Sequence, residues 1–242
     1  MKAPAFDYVR PGTMQDAFAL LNSHGASARI LAGGQSLLAM MNLRLATPAL
    51  LIDIGRLPGL REITRRGDRL RIGAMVTHSS LLASTELAAQ VPLLAQAVPH
   101  VAHAAIRNAG TIGGSLALAD PAAEYPAVAL ALDAQFIVAS EGGERRVAAS
   151  DWFLGLYETA LRENEILIAT EWPIAMPDQR FAFVELARRR GDYAMVGLAA
   201  SIGWVGQTQS QTNGQPARRA KDRTIASAQL AWFSVDDRPI LT

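Results

Sequence analysis

The sequence contains no cysteine. That excludes disulfides, thiolate zinc sites, Cys-ligated iron–sulfur clusters and cysteine nucleophiles on this chain. Any redox chemistry must use a cofactor held without thiolates. Aromatic residues are only 6%, so Ala, Leu, Val and Ile supply most of the core. A charge excess is also missing: 23 Lys and Arg stand against 22 Asp and Glu, a formal net charge of +1. Proteins that bind nucleic acid by phosphate neutralisation carry a basic excess, so no nucleic-acid partner is expected. The N-terminus is interrupted by Asp7 and Arg10 and has no apolar run of signal-peptide length. The uncharged stretch Leu87 to Ile106 is punctuated by two prolines, two glutamines and two histidines, which makes it a poor membrane span. These absences predict a cytoplasmic chain without membrane insertion.

What is present is an ordinary globular composition: 242 residues, 50% hydrophobic and 19% charged. The length suits one large domain or two small ones. Thr13 with Asp16 forms a variant capping box, opening an amphipathic helix over Met14 to Ser23 that Gly25 closes. Ala28 to Leu31 reads as a strand running into Gly33-Gly34, and Ser36 as the cap of a helix through Leu43. Leu50 to Ile54 reads as a buried strand broken only by Asp53. Arg61 to Thr64 and Leu70 to Ala74 read as strands around a turn at Arg66-Gly67-Asp68. Helices are predicted over Thr77 to Ala83 and Pro92 to His103. Arg107 to Gly114 reads as a polar, Gly-rich connection. Asp120-Pro121-x-x-Glu124 reads as a cap, a first-position proline and a first-turn acid, opening a helix to Leu132. Gln135 to Ala139 and Arg145 to Ala148 predict a hairpin, and Ile166 to Trp172 a further strand. Beyond Pro177 the character becomes mainly β, with strands at Phe181 to Leu186, Ala194 to Val205 and Ile225 to Val235. The polar segment 206–223 between the last two reads as a loop.

Two glycine segments stand out. Leu31-Ala32-Gly33-Gly34-Gln35-Ser36-Leu37 is a strand end, two glycines, a polar pair and a helix start. Glycine lets a ligand approach the backbone, and amides at such a turn make an anion site to which the Ser36 hydroxyl adds a donor. Gly110-Thr111-Ile112-Gly113-Gly114-Ser115-Leu116 offers the same ingredients. One such segment is more often a plain connector. Two can clamp a diphosphate from both sides. Neither fits the Walker A pattern or the dinucleotide G-x-G-x-x-G spacing.

A-G-G-Q-S-L-L-x-M-M at Ala32 to Met41, L-I-D-I at Leu51 to Ile54, I-R-N-x-G-T-I-G-G-S-L-A-x-A-D-P-A-A-E at Ile106 to Glu124 and A-R-R-R-G-D-Y-A-M-V-G at Ala187 to Gly197 together resemble the FAD-binding medium subunits of the molybdenum hydroxylases. That family includes the medium chain of aerobic carbon monoxide dehydrogenase and the FAD domain of xanthine dehydrogenase. The resemblance implies an α+β fold of the vanillyl-alcohol-oxidase (PCMH) type, in which residues 1–175 form two subdomains that hold FAD. A small antiparallel β domain, residues 176–242, would follow. Relatives continue past the last strand into a helical segment, so this C-terminal domain is expected to be shortened, and less stable without a partner over its apolar face. The resemblance also assigns roles. Ala32, Gly33, Gly34, Gln35 and Ser36 would hold one side of the FAD diphosphate. Thr111, Ile112, Gly113, Gly114 and Ser115 would hold the other, although many relatives carry Asn where Ser115 stands. Asp120, Glu124, Leu167, Asp192 and Tyr193 would lie near the flavin, with Tyr193 covering the isoalloxazine ring. Four of them have a plainer reading: Asp120 an N-cap, Glu124 a dipole-stabilising acid, Leu167 core, and Tyr193 core or interface.

No residue is expected to act directly on a substrate. The resemblance implies an electron-transfer subunit. It would take electrons from [2Fe–2S] clusters on a small iron–sulfur subunit and pass them to an external acceptor. The molybdenum cofactor would sit on a large subunit, the whole forming a dimer of heterotrimers. The alternatives are a self-contained flavin oxidoreductase of the same fold and a non-catalytic scaffold. His100-x-x-His103 has helical spacing but no evident carboxylate partner, so it does not read as a metal site. His78 reads as local structure at a helix start. Arg188 to Arg190, and Arg218, Arg219, Lys221 and Arg223, read as solvated charge.

Overall fold

The computed structural model describes residues 2–205 and 224–242. The segment 206–223 and its four basic residues lie outside the described residues. The described residues fold as α+β with three main sheets.

The first sheet is parallel, with strand order β1-β3-β2. β1 is Asp7–Val9, β2 Ala28–Leu31 and β3 Leu50–Asp53. Helix α1, Met14–His24, packs on this sheet through Ala17, Phe18 and Leu21. Thr13 Oγ1 accepts from the Asp16 amide, and Gly25 ends the helix at φ +49°. Asp53 is tolerated in a fully buried strand because Arg10 and the Tyr8 hydroxyl both bond its carboxylate. Between β2 and β3 lies α2, Leu37–Asn42. Ser36 stands at its start with helical dihedrals and makes no side-chain cap bond, so the predicted capping role is corrected. Its hydroxyl is left for other partners.

The second sheet is antiparallel, order β4-β5-β10-β6-β7. Its strands are β4 Ile63–Arg66, β5 Arg69–Gly73, β6 Gln135–Ser140, β7 Gly143–Ala148 and β10 Ile166–Pro173. A run of helices joins β5 to β6: α3 His78–Ala83, α4 Thr85–Gln90, α5 Pro92–Ala97, α6 Ala104–Ala109, α7 Ile112–Leu118 and α8 Glu124–Ala131. The short α9, Ala149–Trp152, and the ribbon β8 Phe153–Gly155 with β9 Glu158–Thr159 join β7 to β10. The Trp152 ring stacks on Phe136 at 4.4 Å, and its Nε1 donates to the Leu116 carbonyl at 2.9 Å, tying sheet to helix layer.

Three sequence expectations change here. The helix predicted over Pro92 to His103 stops at Ala97, and Val98–His100 forms a tight 3-10 turn around Pro99. Proline removes one helical hydrogen bond and clashes with the carbonyl four residues back. The connection Arg107 to Gly114 is largely helical, being the end of α6 and the start of α7. Asp120 is not a helix cap. Its Oδ1 accepts from the Ala122 amide at 2.9 Å in a turn, and α8 begins only at Glu124.

The third sheet is antiparallel, order β11-β12-β13-β14, from Gln179–Leu186, Val196–Val205, Thr224–Phe233 and Ile240–Leu241. Phe183, Ala199, Ala231 and Phe233 from its inner face join the buried cluster that also holds Leu94, Val128 and Phe136. Gly197 faces Phe233 in register. A Cβ at Gly197 would stand 2.0 Å from the Phe233 ring, which is fully buried. Gly197→Ala is therefore expected to cost about 1–3 kcal/mol through overpacking, read as a fall of about 2–12 °C in Tm. An unchanged Tm would mean that the ring yields freely. Among the described residues, no helix is long and apolar enough to cross a membrane.

Candidate functional site

A cleft of about 940 Å³ opens between the first two sheets, at the upper end of the range for ligand sites. Strand β2 delivers one wall. After Leu31 the chain leaves the sheet through Ala32-Gly33-Gly34-Gln35-Ser36 and enters α2. Gly34 takes φ +71°, a left-handed conformation that suits glycine. Among the described residues, no protein acceptor takes the amides of Gly33, Gly34, Gln35 or Ser36. These four consecutive donors form a nest of unengaged N–H groups.

The opposite wall is the start of α7. Thr111 is a true N-cap, its Oγ1 accepting from the Gly114 amide at 3.1 Å. The Ile112 amide donates to Val76 O and the Gly113 amide to Ala74 O, both at 3.0 Å, and the Ser115 amide bonds Thr111 O. The two glycine segments are thus unlike, correcting the sequence reading. The second engages the amides of Gly110, Ile112, Gly113, Gly114 and Ser115, leaves that of Thr111 without an acceptor among the described residues, and brings the Thr111 and Ser115 hydroxyl residues to the cleft. Its glycines serve close packing, since a Cβ on Gly113 would meet the Ala74 Cβ at 2.4 Å. The two walls also touch. A Cβ on Gly33 would meet the Ala109 carbonyl oxygen at 2.2 Å and the Gly110 Cα at 2.8 Å.

Fourteen of the fifteen predicted residues line this one cleft: Ala32, Gly33, Gly34, Gln35, Ser36, Thr111, Gly113, Gly114, Ser115, Asp120, Glu124, Leu167, Asp192 and Tyr193. Ile112 does not. Its side chain is fully buried in the helix-layer core, because an apolar residue at that position turns inward from the cleft. Leu167 both lines the cleft and belongs to the core, beside an irregularity in the pairing of β10 with β6. Tyr193 is 71% exposed, so its ring stands at the rim and is not packed away. Its hydroxyl pKa is raised by partial desolvation and by Asp120.

The electrostatics centre on Glu124. This carboxyl is buried, and its pKa is pushed up to about 8 by burial, with Glu185 and Asp120 adding to the shift. At neutral pH it is largely a neutral acid that can donate a hydrogen bond. Glu185 in turn meets His100, whose Nδ1 lies 3.0 Å from Glu185 Oε1. His100 therefore has the carboxylate partner that the sequence did not reveal, supplied by a strand eighty-five residues away.

Sequence reasoning missed His78 and Tyr157. His78 is buried against the Tyr125 hydroxyl, with 2.9 Å between that oxygen and Nδ1, and it lines the cleft. Burial, and then the charge of Arg107, lower its pKa to about 4, so the ring is neutral at physiological pH. Tyr157 stands at φ +55° with its hydroxyl 3.5 Å from Asp120 Oδ2. Only the helix start at Thr77 marked His78 locally, and no sequence signal marked Tyr157.

The cleft fits an extended dinucleotide. Free amides at the strand end suit a phosphate, and glycine keeps the wall thin enough for close approach. The comparisons agree. The family described as "FAD binding domain in molybdopterin dehydrogenase" matches residues 4–175. The carbon monoxide dehydrogenase medium chain of Hydrogenophaga pseudoflava is 41% identical over 210 residues, covering 87% of this chain and 73% of that protein. The caffeine dehydrogenase subunit beta of Pseudomonas sp. (strain CBB1) is 37% identical over 241 residues, covering 99% and 76%. A solved structure of carbon monoxide dehydrogenase from Hydrogenophaga pseudoflava superposes with a TM-score of 0.89 at 36% identity, covering 100% of this chain and 78% of that one. This chain belongs to the family of FAD-binding domains in molybdopterin dehydrogenases, and with it to the FAD-dependent oxidoreductase subunits.

Proposed function

We propose that this chain holds FAD in the cleft and serves as the electron-transfer subunit of a molybdenum-containing hydroxylase or dehydrogenase in the cytoplasm. The observation that carries the reading is the row of unengaged amides from Gly33 to Ser36, in residues that line one cleft with Thr111 and Ser115. In this reading residues 1–175 bind the cofactor and residues 176–242 form the C-terminal domain that carries Asp192 and Tyr193.

FAD, when bound, takes electrons singly from one-electron donors and gives them up as a pair. The protein supplies position and electrostatics. The Gly33 to Ser36 amides would hold the diphosphate from one side. The Thr111 hydroxyl already accepts from the Gly114 amide, so its proton is available to donate from the other side, as is that of Ser115. Leu167 contributes an apolar wall that excludes water. Tyr193 covers the cleft mouth. Glu124, held neutral, adds no negative charge on the flavin side of the cleft and keeps a proton at its carboxyl oxygen. Asp120 shapes the turn before α8.

With no cysteine on this chain, thiolate-ligated [2Fe–2S] clusters belong to a small partner subunit and the molybdenum cofactor to a large one. A dimer of heterotrimers is the expected assembly, with an external acceptor taking the electrons. The test is purification with and without such partners. One FAD released per chain, and co-purification with iron–sulfur and molybdopterin subunits, are the expected results. Bleaching of the flavin by a small substrate in the isolated chain would overturn the relay reading in favour of a self-contained oxidoreductase. A chain that stays colourless after FAD loading would reduce it to a scaffold.

A further inference from the structure

The loop that carries Tyr193 is not braced by the strands alone. Gly191 takes φ +86°, and a Cβ there would stand 2.6 Å from the Ala102 carbonyl oxygen and 3.0 Å from its carbon. The loop therefore rests directly on the backbone of Ala102. Ala102 is itself unusual: it is not glycine, yet it holds φ +44°. Such a conformation persists only where the surroundings impose it. Arg107 bonds the chain at this point. From α6, its guanidinium NH1 donates to Val101 O at 2.9 Å and to Ala102 O at 2.6 Å. One charged donor thus grips two consecutive carbonyls of the α5–α6 connection.

The other end of α6 closes the circuit. Ala109 and Gly110 are the groups against which Gly33 packs. A continuous path runs from the free-amide wall through α6 and Arg107 to Ala102, then to Gly191 and Tyr193. Val101, Ala102, Gly191 and Tyr193 all line the same cleft.

We propose that Arg107 is a positioning residue: by clamping Val101 and Ala102 it sets the seat of the Gly191 loop, and so fixes where the Tyr193 ring stands over the cleft. This rests on the reading that Tyr193 covers the flavin, and the experiment separates the two. Aromatic rings stacked on a flavin quench its fluorescence by excited-state electron transfer, so the emission of bound FAD reports the ring's position independently of turnover. The FAD-loaded protein is measured as the parent and as Tyr193→Leu, Arg107→Met, Arg107→Lys and Gly191→Ala, with visible circular dichroism and FAD content recorded for each.

Tyr193→Leu is expected to raise the emission severalfold. Arg107→Met is expected to raise it in the same direction, with Arg107→Lys between parent and Met because an ammonium restores a donor but not the fork. The double variant Arg107→Met/Tyr193→Leu should match Tyr193→Leu alone, since both act on one ring. Gly191→Ala would press on the same Ala102 carbonyl oxygen and should mimic Arg107→Met. If Tyr193→Leu leaves emission and dichroism unchanged, the placement of Tyr193 by the flavin fails. If Tyr193→Leu responds while Arg107→Met and Gly191→Ala stay at parent emission, the clamp is overturned and the placement stands. Should Arg107→Met release its FAD, Arg107→Lys and Gly191→Ala decide: parent emission in both overturns the clamp.

Discussion

Gly33→Ala is expected to release FAD from the protein, weakening its affinity about 5- to 150-fold. The new methyl would stand 2.2 Å from the Ala109 carbonyl oxygen. That atom is backbone, so no flexible side chain can move aside. Either the β2–α2 connection or the end of α6 must shift, and both line the cleft. Overpacking of this kind costs about 1–3 kcal/mol. If the cost falls on the bound geometry, it converts to the stated loss of affinity. If it falls on the fold, Tm drops by about 2–12 °C. Isothermal titration with FAD and thermal unfolding of the apoprotein divide the two. Gly12→Ala is the control, since a Cβ at Gly12 meets nothing within 4 Å. Parent affinity together with parent Tm in Gly33→Ala would show that the two walls are not in the contact described.

Glu124→Gln is expected to change how stability depends on pH. The Glu124 carboxyl titrates near pH 8 in the folded protein, against 4.5 for the ordinary group. Between those values the folded state holds a proton that the unfolded state has lost. The stabilising contribution is therefore fully present below about pH 4.5 and is lost as pH rises through about 8, at about 1.4 kcal/mol per pH unit in between. His78 acts in the other direction. Its folded pKa of about 4 lies below the ordinary 6.5. Its contribution is present above about 6.5 and is lost as pH falls through 4. The two slopes oppose each other between 4.5 and 6.5, and Glu124 alone remains between 6.5 and 8. The parent protein should hold a level Tm in the lower window and lose stability in the upper one. Glu124→Gln should gain stability up to pH 6.5 and then level off. Parallel curves for parent and variant would sink the assignment of a neutral acid at this position.

These two predictions come from opposite kinds of information. Gly33 was legible in the sequence, because a β-branched strand that breaks into Gly-Gly before a helical pattern has few structural meanings. Glu124 was legible as a position but not as a chemical state. Its raised pKa depends on burial beneath residues distant in sequence, and on Glu185 from β11. The same holds for the second glycine segment. Ile-Gly-Gly-Ser reads as a turn because glycine is a poor helix former. The structure makes it the first turn of α7, since Val76 and Ala74 accept the Ile112 and Gly113 amides and Ala74 admits only glycine alongside. No local pattern announces acceptors some thirty-six residues upstream.

The boundaries failed for similar reasons. Asp120 and Pro121 carry the chemistry of a helix start, and Asp120 does bond an amide two residues on. The helix waits until Glu124 because the intervening turn packs under the C-terminal sheet, where Pro121 O accepts from the Ser234 amide. His100 has no carboxylate partner nearby in sequence because Glu185 arrives from the third sheet.

By itself, the sequence determined the chemistry on offer. No thiolate can act here, two glycine segments and their hydroxyls are available, and four ordered motifs mark one family. These are properties of residue type and short spacing, which the chain carries before it folds. Tertiary structure alone decided which of those groups remain free. It left the Gly33 to Ser36 amides unengaged and occupied those of Ile112 and Gly113. It neutralised Glu124 and His78 by burial, and set Tyr193 at the rim on a seat gripped by Arg107. Hydrogen-bond satisfaction and desolvation depend on neighbours that only the fold brings together, so they are written in no local stretch of the chain.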